Sequence, residues 1–110
     1  MPPLRDRQCR PIAAGENALG QAEIDAYLRE LPGWSVDGGK LSKTFRFKDY
    51  YQTTAFANAI FWVSHQQDHH PDIELSYNRL TIRYDTHSIG GLSENDFICA
   101  ARVEALSSLG

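Results

Sequence analysis

The residues of this chain best suited to chemistry are its four histidines, and three of them, His65, His69 and His70, fall within the stretch HQQDHHPD, directly against Pro71. The fourth, His87, follows His70 by seventeen positions. Histidine titrates near pH ~6.5, so neighbouring imidazoles can hold different protonation states around neutrality, one donating while another accepts. That suits a dehydration or tautomerisation without a cofactor. Two other readings compete. Histidines at a helix C-terminus are favoured by the helix dipole, which would be the better account of any single one but not of three brought near a fourth. His65 and His69, four apart and on one helix face if the helix extends that far, could also ligate a metal with His87 as a third ligand. There is no Glu between the pair in the zincin arrangement and no cysteine ligand nearby, so zinc ranks below acid–base chemistry. No Ser-His-Asp or Cys-His nucleophile motif and no glycine-rich phosphate loop is present.

The elements that must position these histidines follow from periodicity. Residues 1–19 are rich in Pro, Gly and charge and show no period, which predicts an extended or poorly ordered arm ahead of a domain over 20–110. Ile24, Tyr27, Leu28 and Leu31 predict a helix that ends at Pro32-Gly33. Asp37-Gly38-Gly39 predicts a hairpin turn, with Leu41, Phe45 and Phe47 on one strand face and Ser42, Thr44 and Arg46 on the other. YYQTTAFANAIFWVSHQQ predicts a second helix with Tyr51, Ala55, Phe56, Ala59, Ile60 and Val63 facing inward, stopping before Pro71.

Two alternating strands follow, and a turn at Asn78-Arg79 would pair Leu75 with Ile82 and Ile73 with Tyr84. Continued, that register sets His70 opposite His87. Ser93 with Asp96 resembles a capping box ahead of a third helix, FICAARVEAL. The expected fold is α+β in the order α-β-β-α-β-β-α, a four-stranded antiparallel sheet with three helices on one face. Its other face and edges suit pairing with a second subunit.

At 110 residues, 42% hydrophobic and 23% charged, the chain has the makings of one folded core. Fourteen acidic against eleven basic residues give a net charge of -3, and no Lys/Arg run is present to neutralise a phosphate backbone, which disfavours nucleic acid. No bilayer-length apolar run and no secretory apolar region is seen, so a cytoplasmic location is expected. Cys9 and Cys99 read as isolated reduced thiols, Cys99 as a small buried hydrophobe and Cys9 as an uninformative tail residue.

Together, H-QQD-HHP-DIELS-Y, the later TH and GLSENDF resemble the pterin-4a-carbinolamine dehydratases. The family's signature positions fall on His65, His69, His70, Pro71, Tyr77, His87 and Asp96, with Phe97 where the family usually has Trp and His65 where it often has Glu. The resemblance runs from about Leu19 through Leu106 and takes in Gly33-Trp34 and FRFKDY. It implies dehydration of 4a-hydroxytetrahydropterin to quinonoid dihydropterin, in recycling the cofactor of aromatic amino-acid hydroxylases.

By the same resemblance His69, His70 and His87 are the catalytic set. His69 and His87 would act as acid and base, with His70 mainly orienting substrate. Pro71, Thr86, His87 and Ser88 join His69 and His70 in substrate binding, with His65, Tyr77 and Asp96 in support and no metal or cofactor. Asp96 is equally well explained as a helix cap. A homodimer or homotetramer is expected. The alternatives are a non-catalytic dimerisation cofactor for a transcription factor, or a paralogue acting on a molybdopterin-related pterin.

Overall fold

The computed structural model describes residues 2–107, in the order α1 (Gln21–Leu28), β1 (Ser35–Asp37), β2 (Lys40–Arg46), α2 (Tyr50–Gln67), β3 (Asp72–Ser76), β4 (Arg79–Tyr84) and α3 (Glu94–Ser107). Residues 108–110, the end of the expected domain, lie outside the described residues. The α-β-β-α-β-β-α order and the α+β class are as the sequence predicts, and the four antiparallel strands lie in the order β1-β2-β4-β3. Gly38 and Gly39, with φ of 59° and 79°, form the left-handed pair that a two-residue hairpin loop requires, and Asp37 pairs with Lys40 across them. Asp49 caps α2, its carboxylate accepting the Gln52 amide proton at 2.9 Å.

Three local expectations are corrected. First, α1 ends at Leu28, not at Pro32-Gly33. Tight turns follow, Glu30 and Leu31 donating to the carbonyls of Tyr27 and Leu28, and they carry Leu31 into the core, where a continuing helix was expected.

Second, α2 is rotated from its expected face. Tyr51 is 83% exposed and Ala55 is exposed, while the buried stripe is Thr53, Phe56, Ala57, Ile60, Val63, Ser64 and Gln67. Its polar members are satisfied: Thr53 Oγ1 lies 2.8 Å from the Asp49 carbonyl and 2.9 Å from that of Tyr77, Ser64 donates to the Ile60 carbonyl, and Gln67 bonds Gln8 and Cys9 of the arm.

Third, the β3–β4 register differs by two residues. Ile73 pairs with Ile82, Leu75 with Leu80 and Ser76 with Arg79, so the turn is Tyr77-Asn78. A shift of two keeps every apolar side chain on its face, and the apolar pattern cannot separate the two registers. Among the described residues Asp68 is the one non-glycine with positive φ, so Asn78 does not adopt the left-handed backbone. Strand pairing stops at Asp72 with Arg83, and His87 is not the cross-strand partner of His70.

Seven consecutive residues of α3, from Asn95 to Ala101, are buried. At ~100° per residue such a run covers the whole circumference, so this helix needs cover on every side. It packs against α2 and β2, and the N-terminal arm also lies on it through a 3-10 turn at Leu4–Asp6. Leu4 is 1% exposed, a burial that contributes about 1.5–3 kcal/mol and helps offset ordering the arm. The arm is fastened again where the Arg10 amide donates to Asn95 Oδ1 at 3.1 Å and Asn95 Nδ2 returns to the Arg10 carbonyl at 2.7 Å.

Candidate active site

The end of α2 sets the site. The helix stops at Gln67, and Asp68 takes the left-handed conformation, φ 50° and ψ 46°, that closes many helices. The amides of Asp68 and His69 both return to the Ser64 carbonyl, the latter at 3.3 Å. His65 therefore remains on the helix while His69 lies beyond it, so the two do not share the helical face on which the metal reading depended. His69 turns inward and His65 stays exposed.

Inside, His69 Nε2 lies 2.5 Å from Asp96 Oδ1, the His side chain being 13% exposed and the carboxylate fully buried. The His69 ring lies parallel to that of Tyr84 on β4, with centroids 5.9 Å apart and an 8° interplanar angle. The other carboxylate oxygen, Oδ2, accepts the Ser93 amide at 2.9 Å and the Thr86 hydroxyl at 2.8 Å. Thr86 Oγ1 is also 2.6 Å from Ser93 Oγ. Since the Thr86 proton is used on Asp96, the Ser93 hydroxyl donates to Thr86, forming a buried relay Ser93 to Thr86 to Asp96. Asp96 is thus both the cap of α3 and the partner of His69, while the Ser93 side chain turns to Thr86.

This environment sets the protonation of His69. Burial pushes its pKa down, but the Asp96 hydrogen bond and charge, with Cys9 and Asp85 adding, outweigh burial and hold it above 6.5. With Nε2 engaged by Asp96, Nδ1 is the other ring nitrogen.

The remaining histidines are placed differently. His65 and His70 line a shallow pocket of about 170 Å³ with Phe61, Ser64, Pro71 and Ile73. That is smaller than a typical ligand pocket of roughly 300 Å³ or more, so a flat bicyclic ring would keep one side open. His87 is exposed on a 3-10 turn, His87–Ile89, after β4. Its charge reaches Asp72, whose carboxyl is held below the ordinary value first by the Lys40 hydrogen bond and charge and further by Arg83 and His87. Ser88 Oγ donates to the Ile12 carbonyl of the arm at 3.3 Å. Tyr77 lies in the turn at the opposite end of β3 from Pro71, stacked on Tyr50 at 6.4 Å. Among the described residues no three His, Cys, Asp or Glu side chains converge as a metal-binding group.

A family model described as pterin 4 alpha carbinolamine dehydratase matches residues 17–106. The chain belongs to the pterin-4a-carbinolamine dehydratase family. A protein of Nitrosospira multiformis, provisionally named as such a dehydratase, is 52% identical over 103 residues, covering 94% of this chain and 91% of the relative. One of Stenotrophomonas maltophilia, named in the same provisional way, is 50% identical over 107 residues, covering 96% and 92%.

Among solved structures, a transcriptional coactivator/pterin dehydratase of Brucella melitensis is similar at 34% identity with a TM-score of 0.78, over 82% of this chain and 98% of that one. A pterin dehydratase-like protein identified as a RuBisCO assembly factor in the alpha-carboxysome follows at 32% identity and 0.61, over 70% and 92%.

Several residues of this family member escape the sequence reading. The Thr86 side chain, expected among the substrate-binding residues, is bonded to Asp96. Lys40 lies 2.9 Å from Asp72 and 4.0 Å from Asp85, which places a charged cluster beside Pro71. The proximity of β2 to β4 carries that signal, and a sequence without strand order does not contain it. No helix among the described residues is long and apolar enough to cross a membrane.

Proposed function

We propose that this chain is a hydro-lyase that converts 4a-hydroxytetrahydropterin to quinonoid dihydropterin and water, in pterin cofactor recycling beside an aromatic amino-acid hydroxylase. The observation that carries this reading is the buried His69–Asp96 pair next to the pocket of His65, His70 and Pro71. His69, holding its proton above pH 6.5, gives the Nδ1 proton to the leaving C4a hydroxyl, which departs as water. His87 takes the N5 proton, and His70 orients the ring with Pro71, Thr86 and Ser88. Solvent resets the two imidazoles after release. Two positioned proton transfers of this kind are each worth roughly 10²- to 10⁴-fold, and neither calls for a metal or cofactor.

The test is turnover of freshly generated 4a-hydroxytetrahydropterin by purified protein without added metal. The expected rate is well above the spontaneous reaction; equality with it ends the reading. Activity abolished by a chelator and restored by zinc would assign the histidines to a metal instead. A cytoplasmic location belongs to the same proposal.

The partner at the surface is a second copy of this chain. Tyr51, Phe61 and Trp62 are exposed on α2, with Trp62 at 61%, more aromatic surface than an isolated small domain ordinarily leaves to water. Solution mass is expected at two or four times 12.4 kDa, and a Trp62→Glu variant is expected to shift it towards the monomer. A monomeric wild-type chain would refute self-association.

A further inference from the structure

Cys9 and Cys99, 90 positions apart in sequence, meet in the fold with their sulfurs 3.6 Å apart. Neither takes part in the proposed dehydration. Cys99 is fully buried on α3, and Cys9 is half-buried on the arm. The arm is held on both sides of Cys9 as well as at it. The Cys9 amide donates to Gln67 Oε1 at 2.8 Å, Arg102 Nη2 donates to the Arg7 carbonyl at 2.5 Å, and Arg10 is paired with Asn95. The encounter of the two thiols is therefore built from α2 and α3 together.

Next to it, and next to His69, the Tyr84 hydroxyl is buried with no hydrogen-bond partner among the described residues. Burial first, then the charges of Cys99, Cys9 and Asp96, push its pKa up, so it stays neutral and does not compete with either thiol as an anion.

We propose that Cys9 and Cys99 form a reversible oxidative modification site, closed to a disulfide by a hydroperoxide, which locks the N-terminal arm onto α3 behind His69. The two thiols are already unequal. The Cys99 hydrogen bond lowers the Cys9 pKa against the penalty of burial, with His69 and Arg102 contributing positive charge. Cys99 is pushed up by that same bond and by burial. Cys9 is thus the attacking thiolate and Cys99 the resolving thiol.

The Cys9 sulfur attacks a peroxide oxygen, the O–O bond breaks, and the departing alkoxide or hydroxide takes a proton, leaving Cys9 as sulfenic acid. Cys99 then loses its proton, its sulfur attacks that of Cys9, and the hydroxyl leaves as water. Two electrons and two protons pass from the thiols to the peroxide. A dithiol reductant reverses the exchange. Reaching a bond of about 2.05 Å from 3.6 Å requires the two sulfurs to approach by about 1.5 Å.

Full-length protein treated with a small excess of hydrogen peroxide, then denatured, alkylated and weighed without reductant tests this. The expected product is a single chain about 2 Da lighter than the reduced, unalkylated form, yielding one Cys9–Cys99 cross-linked peptide and recovering two alkylatable thiols with dithiothreitol. Because the cross-link closes a loop of about 90 residues, its unfolding midpoint is expected to rise by roughly 10 °C or more.

A Cys99→Ala variant should stop at Cys9 sulfenic acid or run on to the sulfinic state, about 16 or 32 Da heavier. A Cys9→Ser variant should leave Cys99 unreactive. The proposal is overturned if the wild-type chain accumulates oxygen on Cys9 with Cys99 still alkylatable, if only cross-links between chains form, or if the C9S variant loses the Cys99 thiol as fast as wild type. A disulfide that leaves the unfolding midpoint unchanged would refute locking of the arm.

Discussion

Turnover of 4a-hydroxytetrahydropterin by a His69→Gln variant is expected to fall about 10²- to 10⁴-fold. Glutamine is chosen because its amide can still donate to Asp96 Oδ1, which sits 2.5 Å from His69 Nε2 and is fully buried. Leaving that carboxylate bare would cost about 3–5 kcal/mol and confuse unfolding with lost chemistry. The amide has no nitrogen that titrates near neutrality, so the fold is retained while the proton transfer is not. A His87→Ala variant separates the two effects from the other side. His87 is exposed, so its removal should leave the unfolding midpoint within a few degrees of wild type while lowering turnover. Initial rates corrected for the spontaneous reaction, read beside thermal unfolding, check both. Wild-type turnover in H69Q would remove His69 as the acid, and wild-type turnover in H87A would remove only its role as the base.

What the sequence makes legible is local. Pro71 and the end of the α2 pattern correctly require a break in the helix beside the histidines, and the spacing of Ser93 and Asp96 marks the start of α3. What it hides is set by contacts between distant segments. The β3–β4 hairpin register is ambiguous because Ile73, Leu75, Leu80 and Ile82 share a face under either pairing, and the backbone at Tyr77-Asn78 decides between them. The inward face of α2 is misread because the helix is apolar on two sides, with Phe56 and Ile60 inside and Phe61 and Trp62 outside. Cys9 looks like a tail residue because nothing near it in sequence announces that α3 is buried all round and must be covered by the arm. Asp96 was visible as a cap; its second role depends on His69 arriving from the end of α2 and Thr86 from beyond β4, which no spacing encodes.

Asp96→Asn is expected to reverse the way His69 responds to pH. In the wild-type chain Asp96 overcomes burial and raises the His69 pKa above the unfolded value of about 6.5. A group raised on folding binds its proton more tightly in the native state. Its stabilisation is therefore complete below pH ~6.5 and is lost as pH rises through the folded pKa. Without the carboxylate charge, burial is left as the leading influence, and the His69 pKa should drop below about 6.5, so that acidification then destabilises the fold. The gap in unfolding midpoint between wild type and D96N should accordingly be widest near pH ~5.5 and narrow towards pH ~8.5. Proton NMR of the His69 ring gives the two pKa values directly, and a D96N value at or above that of wild type would contradict the role given to Asp96. Turnover should fall by about 10²-fold or more for a related reason. The Ser93 amide and Thr86 hydroxyl both donate to Oδ2, so an asparagine keeps its carbonyl oxygen there and turns its NH₂ on His69 Nε2. The imidazole must then accept at Nε2 and carry its single proton at Nδ1, and giving that proton to the leaving hydroxyl would leave an imidazolate, so His69 no longer serves as the acid.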